Sequence, residues 1–376
     1  MEPIQMVDLK NQYNKIKSRI DEAILTCINS TYFINGPEVA EFTGSLQQYL
    51  GVKHVIPCAN GTDALQIAMM ALNLQRGDEV IVPSFTYVAT AEVIGLLGLV
   101  PVMVDVDPAT FNITVQQIEE AITSRTKAIV PVHLFGQCVD MQPIVELAQK
   151  KGIHVIEDTA QALGAVYTMN NGDRHFAGTI GDIGCTSFFP SKNLGCYGDG
   201  GAIYTNNETL SARLSMIANH GQEKKYIHKY IGVNSRLDSI QAAILNVKLQ
   251  HLNEYAAARQ AAADYYDEAL GGIDRLEIPY RSPNSTHVFH QYTLKVKDNL
   301  RGKLAAFLKS QGIPSMVYYP LPLSVQEAYK GIGIVNSIPV TEDLCTCVLS
   351  IPMHTELTTD QLGYITDSIR SFFNEN

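Results

Sequence analysis

Residues 187–205 read SFFPSKNLGCYGDGGAIYT. Two short apolar runs flank a glycine-rich loop, a pattern that predicts two strands with a connection between them. The loop holds one cation, Lys192. A lysine met in isolation is ordinarily a solvated surface group, because lysines are rarely fully buried. The alternative is a lysine held in a pocket, its amine available to form a Schiff base. The rest of the chain has to decide between the two.

Working outward, short apolar runs alternate with helical patterns from about residue 50 to residue 205. Strands are predicted at KHVIPC, DEVIVP, VPVMVD, KAIVPV, IHVIED, CTSFF and GAIYT. Helices are predicted between most of them, at TDALQIAMMALN, YVATAEVIGLLG, TVQQIEEAI and DMQPIVELAQKKG. Apolar strands linked through helices give an α/β fold: a mostly parallel, seven-stranded sheet covered on both faces. In such sheets ligands bind beyond the C-terminal ends of the strands. One long helical stretch from Arg236 to Gly272 is expected to bridge to a smaller α+β unit. That unit has strands at HQYTLKV and SMVYY and helices at KLAAFLKSQG and TTDQLGYITDSIRSFF. The first fifty residues read as helical and are expected to lie across the large unit or a partner subunit. The expected division is residues 1–250 and residues 251–376.

The chain has 376 residues, 46% of them hydrophobic, enough for one large core and a second, smaller one. A net charge of −10 argues against nucleic acid as a partner, since proteins that follow phosphate backbones carry the opposite sign. An anionic small ligand would need local groups to meet its charge. The seven cysteines include no C-x-x-C pair, as expected of a reduced, cytoplasmic protein. The N-terminus is polar, without the apolar stretch of a signal peptide. No window approaches the roughly 18 uncharged apolar residues of a membrane helix, so no membrane anchor is expected.

Four predicted strand ends carry polar groups. In CANGTDALQIAMMAL, Gly61 and Thr62 turn a strand into a helix whose N-terminal N–H groups suit a phosphate; the plainer reading is a threonine N-cap. In VPSFTYVATAEV, Tyr87 is the aromatic nearer the next helix and suits stacking on a flat ring; taken alone, the stretch reads more simply as a core aromatic. In IHVIEDTAQALGA, Glu157 and Asp158 end a buried strand, where carboxylates are costly unless paired. Asp158 is either a helix cap or a partner for a protonated heterocyclic nitrogen, with Gln161 about one turn further on. The fourth end is the opening stretch, with Ser187 and Ser191 beside Lys192. A phosphate site, an aromatic face, a carboxylate and a lysine are together what pyridoxal 5′-phosphate requires.

The order NGTDAL, PSFTYVAT, VIEDTAQALGA, SFFPSKNLGCYGDGGA, NSRLDSIQAAIL and YYPLPLSVQEAY closely resembles the DegT/DnrJ/EryC1/StrS family of sugar aminotransferases, over essentially the whole chain. The resemblance implies a fold type I aminotransferase, a homodimer whose active sites are shared between subunits. It implies Lys192 as the Schiff-base lysine and Asp158 as the pyridine-nitrogen partner. Gln161 and Tyr87 would be ring contacts, and Gly61, Thr62 and Ser187 the phosphate site, with Asn234 reaching it from the other subunit. A histidine in place of the lysine would mark the family's dehydratases, and Lys192 argues against that reaction.

Family substrates are nucleotide-linked ketosugars, with glutamate as amino donor and 2-oxoglutarate as its product. CANGTDALQIA, FTYVATAE and GVNSRLD are similar to the branch that aminates UDP-2-acetamido-2-deoxy-3-oxo-D-glucuronate for surface polysaccharides. A dTDP-3-oxo-6-deoxyhexose is the alternative substrate. His220, Arg236, Tyr318 and Tyr319 match sugar-recognition positions, and that branch has His-Tyr where this chain has Tyr318-Tyr319. HGQEKKYIHKY supplies Lys224, Lys225 and Lys229, either for the diphosphate or as a solvated loop. A nicotinamide-dependent oxidoreductase would need a G-x-G-x-x-G fingerprint in its first βα unit, and the chain has none there. A non-catalytic sugar sensor on the same fold is the rival from another class.

Overall fold

The computed structural model describes residues 2–375, so Met1 and Asn376, the outermost residues of the two expected units, lie outside it. Two helices come first, α1 (Leu9–Ser30) and α2 (Pro37–Leu50). Asp8 caps α1 by accepting from Asn11 N–H, and Pro37 opens α2, where its missing N–H costs nothing. There follow β1 (His54–Cys58), α3 (Gly61–Ala71), β2 (Glu79–Pro83), α4 (Ala89–Leu96), β3 (Val100–Val104), α5 (Val115–Ala121), β4 (Thr126–Ile129), α6 (Met141–Lys151) and β5 (His154–Asp158). A hairpin of β6 (Val166–Thr168) and β7 (Arg174–Phe176) leads to β8 (Ile183–Ser187) and β9 (Gly201–Thr205). Next come α7 (Glu208–Ala218), a second hairpin of β10 (Gln222–Lys224) and β11 (Ile227–His228), α8 (Ser239–Leu249) and α9 (Leu252–Leu270). The chain ends with β12 (Leu276–Glu277), β13 (Tyr292–Val296), α10 (Arg301–Ser310), β14 (Ile334–Val335), α11 (Pro339–Cys347), β15 (Val348–Ile351) and α12 (Thr359–Glu375).

All seven expected strands enter one sheet, but the sheet has eight strands, in the order β1-β9-β8-β5-β4-β2-β3-β14. The eighth, β14, pairs parallel with β3. It is two residues long with both side chains exposed, so it leaves no apolar run to read in the sequence. Only β9 runs against its neighbours. The C-terminal ends of β1, β8, β5 and β2 therefore share one edge.

The α/β reading holds because the strands are apolar on both faces. Every residue of β2 is buried. Val80 and Val82 pack with α3, α4 and α7 on one face, and Ile81 packs with α5 and α6 on the other. Burying each such side chain contributes about 1.5–3 kcal/mol. A further core joins α9, α10, α12 and the sheet β12-β13-β15.

The bridge from Arg236 to Gly272 is two helices, not one, with a break at Gln250 and His251. Ala242, Leu245 and Leu249 of α8 join the core around α2, whereas Ala263, Tyr266 and Leu270 of α9 belong to the C-terminal core. The break lets each half face its own core. SMVYY forms no strand: Met316 makes a single bridge to Ser350. Pro314 and Pro320 bracket the run, and proline cannot donate to a ladder. Among the described residues no helix is long and apolar enough to cross a membrane.

Glu157 anchors the end of β5 from below. Its buried carboxylate accepts from His133 Nε2 at 2.8 Å and from the N–H groups of Gly178, Ile180 and Gly181 at 2.8, 2.7 and 2.6 Å. His133 Nδ1 accepts from Val139 N–H, so the proton donated to Glu157 sits on Nε2. Glu157→Ala strands four donors in the interior. Its expected cost is about 3–5 kcal/mol, read as a lower urea midpoint; an unchanged midpoint would show that water replaces the carboxylate at no loss.

Candidate active site

A cavity of about 890 Å³ opens at the shared strand edge. Asn60, not Thr62, caps α3: its side chain accepts from Asp63 N–H at 2.8 Å. That leaves Gly61 and Thr62 in the first turn, both lining the cavity. A side-chain carbon on Gly61 would come within 2.7 Å of Ser187 Cβ, so glycine lets the helix start close on the end of β8. Cys58, Gly201 and Ser187 lie abreast across β1, β9 and β8, which fixes that approach. Thr62, Thr86, Ser187 and Ser191 also line the cavity. Thr86 Oγ1 is buried and has no partner among the described residues. A helix N-terminus, nearby hydroxyl side chains and an unpartnered oxygen fit a phosphate.

Asp158 stands at the end of β5, buried, and lines the same cavity. Oδ1 accepts from Ala160 N–H and Oδ2 from Thr90 Oγ1, each at 3.0 Å. Burial raises its pKa, against the Ala160 N–H, the charge of Lys192 and the Thr90 hydroxyl. No ion pair compensates this carboxylate among the described residues, and a cationic ring N–H is the kind of donor it lacks. Thr90 escaped the sequence reading; its one mark is a hydroxyl inside a helix that is apolar but for Glu92.

Lys192 faces the cavity from the loop after β8. Part of its side chain is open to the cavity, yet protein surrounds the amine. This burial lowers the pKa from 10.5 to about 8, with Asp158 pulling the other way. The pocketed reading of this lysine is the one the geometry supports. In cofactor-free protein, Lys192 is expected to react with acetic anhydride with a midpoint near pH 8, whereas a solvated lysine would titrate near 10.5. Peptide mapping across pH checks this, and a midpoint above pH 10 would place the amine in water.

The aromatics divide clearly. Tyr87 lines the cavity at 58% exposure, while Phe85 is buried against Phe111 and Phe135. Gln161 Oε1 accepts from Phe135 N–H at 2.8 Å, and its Nε2 donates to Tyr319 Oη at 3.1 Å. Tyr318 and Tyr319 belong to a wall completed by Pro320, Leu321, Leu323 and Gln326. His290 and Gln291 also line the cavity; the sequence shows them only as the start of a strand, and tertiary folding brings them here.

Asn234, His220 and Arg236 do not line this cavity. Asn234 bridges to Asn219, and His220 N–H donates to Val233 O. Both flank the β10–β11 hairpin; Tyr226 at its turn and Ile231 just beyond it are 81% and 88% exposed. Lys224, Lys225 and Lys229 are on this exposed arm. The cavity itself has one lysine and three aspartates, Asp63, Asp158 and Asp199.

A lysine beside a buried carboxylate, with a helix N-terminus at the same strand edge, defines a protein that handles carbonyl groups through a lysine-held cofactor. Residues 14–370 match the DegT/DnrJ/EryC1/StrS aminotransferase family, and the chain belongs to it. It is 48% identical to the UDP-2-acetamido-2-deoxy-3-oxo-D-glucuronate aminotransferase of Pseudomonas aeruginosa, over 96% of this chain and 98% of that one. It is 44% identical to a pleiotropic regulatory protein of Geobacillus stearothermophilus, over 98% of each chain. It is also 44% identical to a UDP-N-acetyl-3-dehydro-alpha-D-glucosamine 3-aminotransferase of Acidithiobacillus ferrooxidans, over 98% of this chain and 97% of that one. Among solved structures, one from Bacillus subtilis with bound cofactor PMP has a TM-score of 0.90 at 31% identity, covering 100% of this chain and 86% of that one.

Proposed function

We infer that this protein is a pyridoxal 5′-phosphate-dependent aminotransferase that moves an amino group from glutamate to a nucleotide-linked ketosugar. The observation that carries the reading is Lys192, a desolvated amine with a pKa near 8, in one cavity with the buried Asp158. UDP-2-acetamido-2-deoxy-3-oxo-D-glucuronate is the proposed acceptor, supported by the names of two relatives that both aminate a UDP-linked 3-oxo sugar. A cytoplasmic place in surface polysaccharide synthesis goes with that substrate.

Bound in this cavity, pyridoxal phosphate supplies an electron sink for the bonds of the amino-bearing carbon. Asp158 would keep the ring nitrogen protonated. Gly61, Thr62 and Ser187 would hold the phosphate, and Tyr87 would stack on the ring. Lys192 Nζ would carry a proton from the amino-bearing carbon of the donor to the cofactor side and back in the reverse half, a role its lowered pKa suits near neutral pH. Fixing the ring at these points keeps the reacting atoms aligned through both half-reactions. Residues 1–250 hold the cofactor, and residues 251–376 close the cavity. That division is supported by the C-terminal core, whose buried residues all lie beyond residue 260 except Ile4.

The acting unit is a homodimer with shared sites. A nucleotide diphosphate and a uronate are anionic, and this cavity offers one lysine against three aspartates. Asn234, His220, Arg236 and the hairpin lysines of a second copy supply the missing donors, and the exposed Tyr226 and Ile231 supply apolar contact. Glutamate should bleach the cofactor absorbance, 2-oxoglutarate should restore it, and a ketosugar screen should find turnover. Mixing inactive Lys192→Ala with impaired Asn234→Ala is expected to recover about a quarter of wild-type activity, since half the dimers then have one intact site. No recovery, with both variants dimeric, rejects the shared site.

A further inference from the structure

One hydrogen-bond chain on the cavity wall has a direction. Phe135 N–H donates to Gln161 Oε1 at 2.8 Å. A main-chain N–H only donates, so this contact fixes the amide, with oxygen towards Phe135 and nitrogen away from it. Gln161 Nε2 accordingly donates to Tyr319 Oη at 3.1 Å. Tyr319 Oη accepts in that contact, and its own proton needs another acceptor. Among the described residues none takes it. The ring is wedged edge-on against Phe85, with centroids 5.8 Å apart, and Tyr319 lines the cavity together with Lys192 and Asp158.

We propose that Tyr319 donates its hydroxyl proton in a hydrogen bond to the carbonyl oxygen of the amino acceptor, with Gln161 as the positioning residue that holds the phenol in this donor role. The proposal deepens the aminotransferase reading and rests on it. When nitrogen adds to a carbonyl carbon, the π electrons move to oxygen, and a preorganised donor out of bulk water stabilises that charge. A hydroxyl that already accepts from an amide is polarised into a better donor. Burial raises the phenol's pKa, so the proton is present throughout the working range. The acceptor oxygen belongs to the ketosugar in one direction and to 2-oxoglutarate in the other.

The test is single-turnover reaction of the pyridoxamine-phosphate form with 2-oxoglutarate, then with the ketosugar, followed by absorbance. Tyr319→Phe is expected to lower the limiting rate about a hundredfold, while the half-saturating concentration and the absorbance of the resting enzyme stay close to wild type. Gln161→Leu should slow the reaction several-fold with Tyr319 present and much less in the Tyr319→Phe background, because it acts through that hydroxyl. A Tyr319→Phe enzyme with the wild-type limiting rate overturns the proposal. So does a shifted resting absorbance with weaker cofactor binding, which would give the proton to the cofactor instead. Wild-type turnover of 2-oxoglutarate but of no ketosugar would reject the proposed sugar while leaving the Tyr319 result decisive.

Discussion

Lys192→Ala is expected to fold normally and to lose transamination by at least about four orders of magnitude. The fold survives because the Lys192 amine makes no hydrogen bond or ion pair among the described residues. The loop is held instead by its main chain, where Lys192 N–H donates to Phe189 O at 2.8 Å. It is also held by Asn193 Nδ2, which donates to Val288 O at 3.0 Å. Removing a desolvated amine relieves a cost rather than breaking a contact. Catalysis is lost because no other amine lines the cavity. Lys192→Arg is expected to be equally inactive, since a guanidinium stays protonated and cannot act as the base. The measurements are glutamate-dependent bleaching and steady-state turnover, alongside a urea melt. Wild-type turnover by the alanine variant would remove Lys192 from the chemistry.

The second large effect is acid instability. His287, His290 and His354 are buried. Burial, aided by Arg281, lowers His287 from 6.5 to about 3, and burial with Arg259 lowers His354 to about 4. His290 falls well below 6.5 through burial and the charges of Lys192 and Arg259. The geometry agrees: His287 Nδ1 accepts from Phe289 N–H and His354 Nδ1 from Glu356 N–H, so protonation would break both bonds. The folded values lie below the unfolded one, so the unfolded chain takes up protons that the fold refuses. Stability is full above about pH 6.5 and declines towards the folded pKa values, by up to ~1.4 kcal/mol per histidine per pH unit. Between pH 7 and pH 5 the three together remove up to roughly 6 kcal/mol, a large share of the 5–15 kcal/mol of a typical fold. Urea midpoints across this range should fall steeply, and less steeply for His287→Leu. A flat profile from pH 7 to pH 5 would mean that these rings reach water.

Much of this molecule is legible in one dimension. The central strands are apolar on both faces, so seven of the sheet's eight strands are visible as short apolar runs. Asp158 stands out because a charge at the end of a buried strand is costly and needs a reason, and Lys192 because it is the one cation in a glycine-rich loop. Where the signal is not local it disappears. β14 is too short to have a pattern, SMVYY has a strand's composition without a strand's partners, and the bridge helix divides because two separate cores pull on it. His290 and Thr86 carry no mark in their own segments, and Thr90 only a hydroxyl within a largely apolar helix. They become site residues only when the strand ends and the C-terminal segment close on one another.

The sequence by itself determined the layered α/β architecture, since that follows from hydrophobic period; the coupling of Lys192 with Asp158 was an expectation drawn from the groups gathered at the strand ends and from the family resemblance. Only the tertiary structure decided that the amine is desolvated to a pKa near 8, that Asn60 rather than Thr62 caps the helix, and that Gln161 points its nitrogen at Tyr319. Each of these depends on which groups from distant segments share a volume closed to bulk water, and hydrogen-bond direction and desolvation are properties of that shared volume rather than of neighbours along the chain.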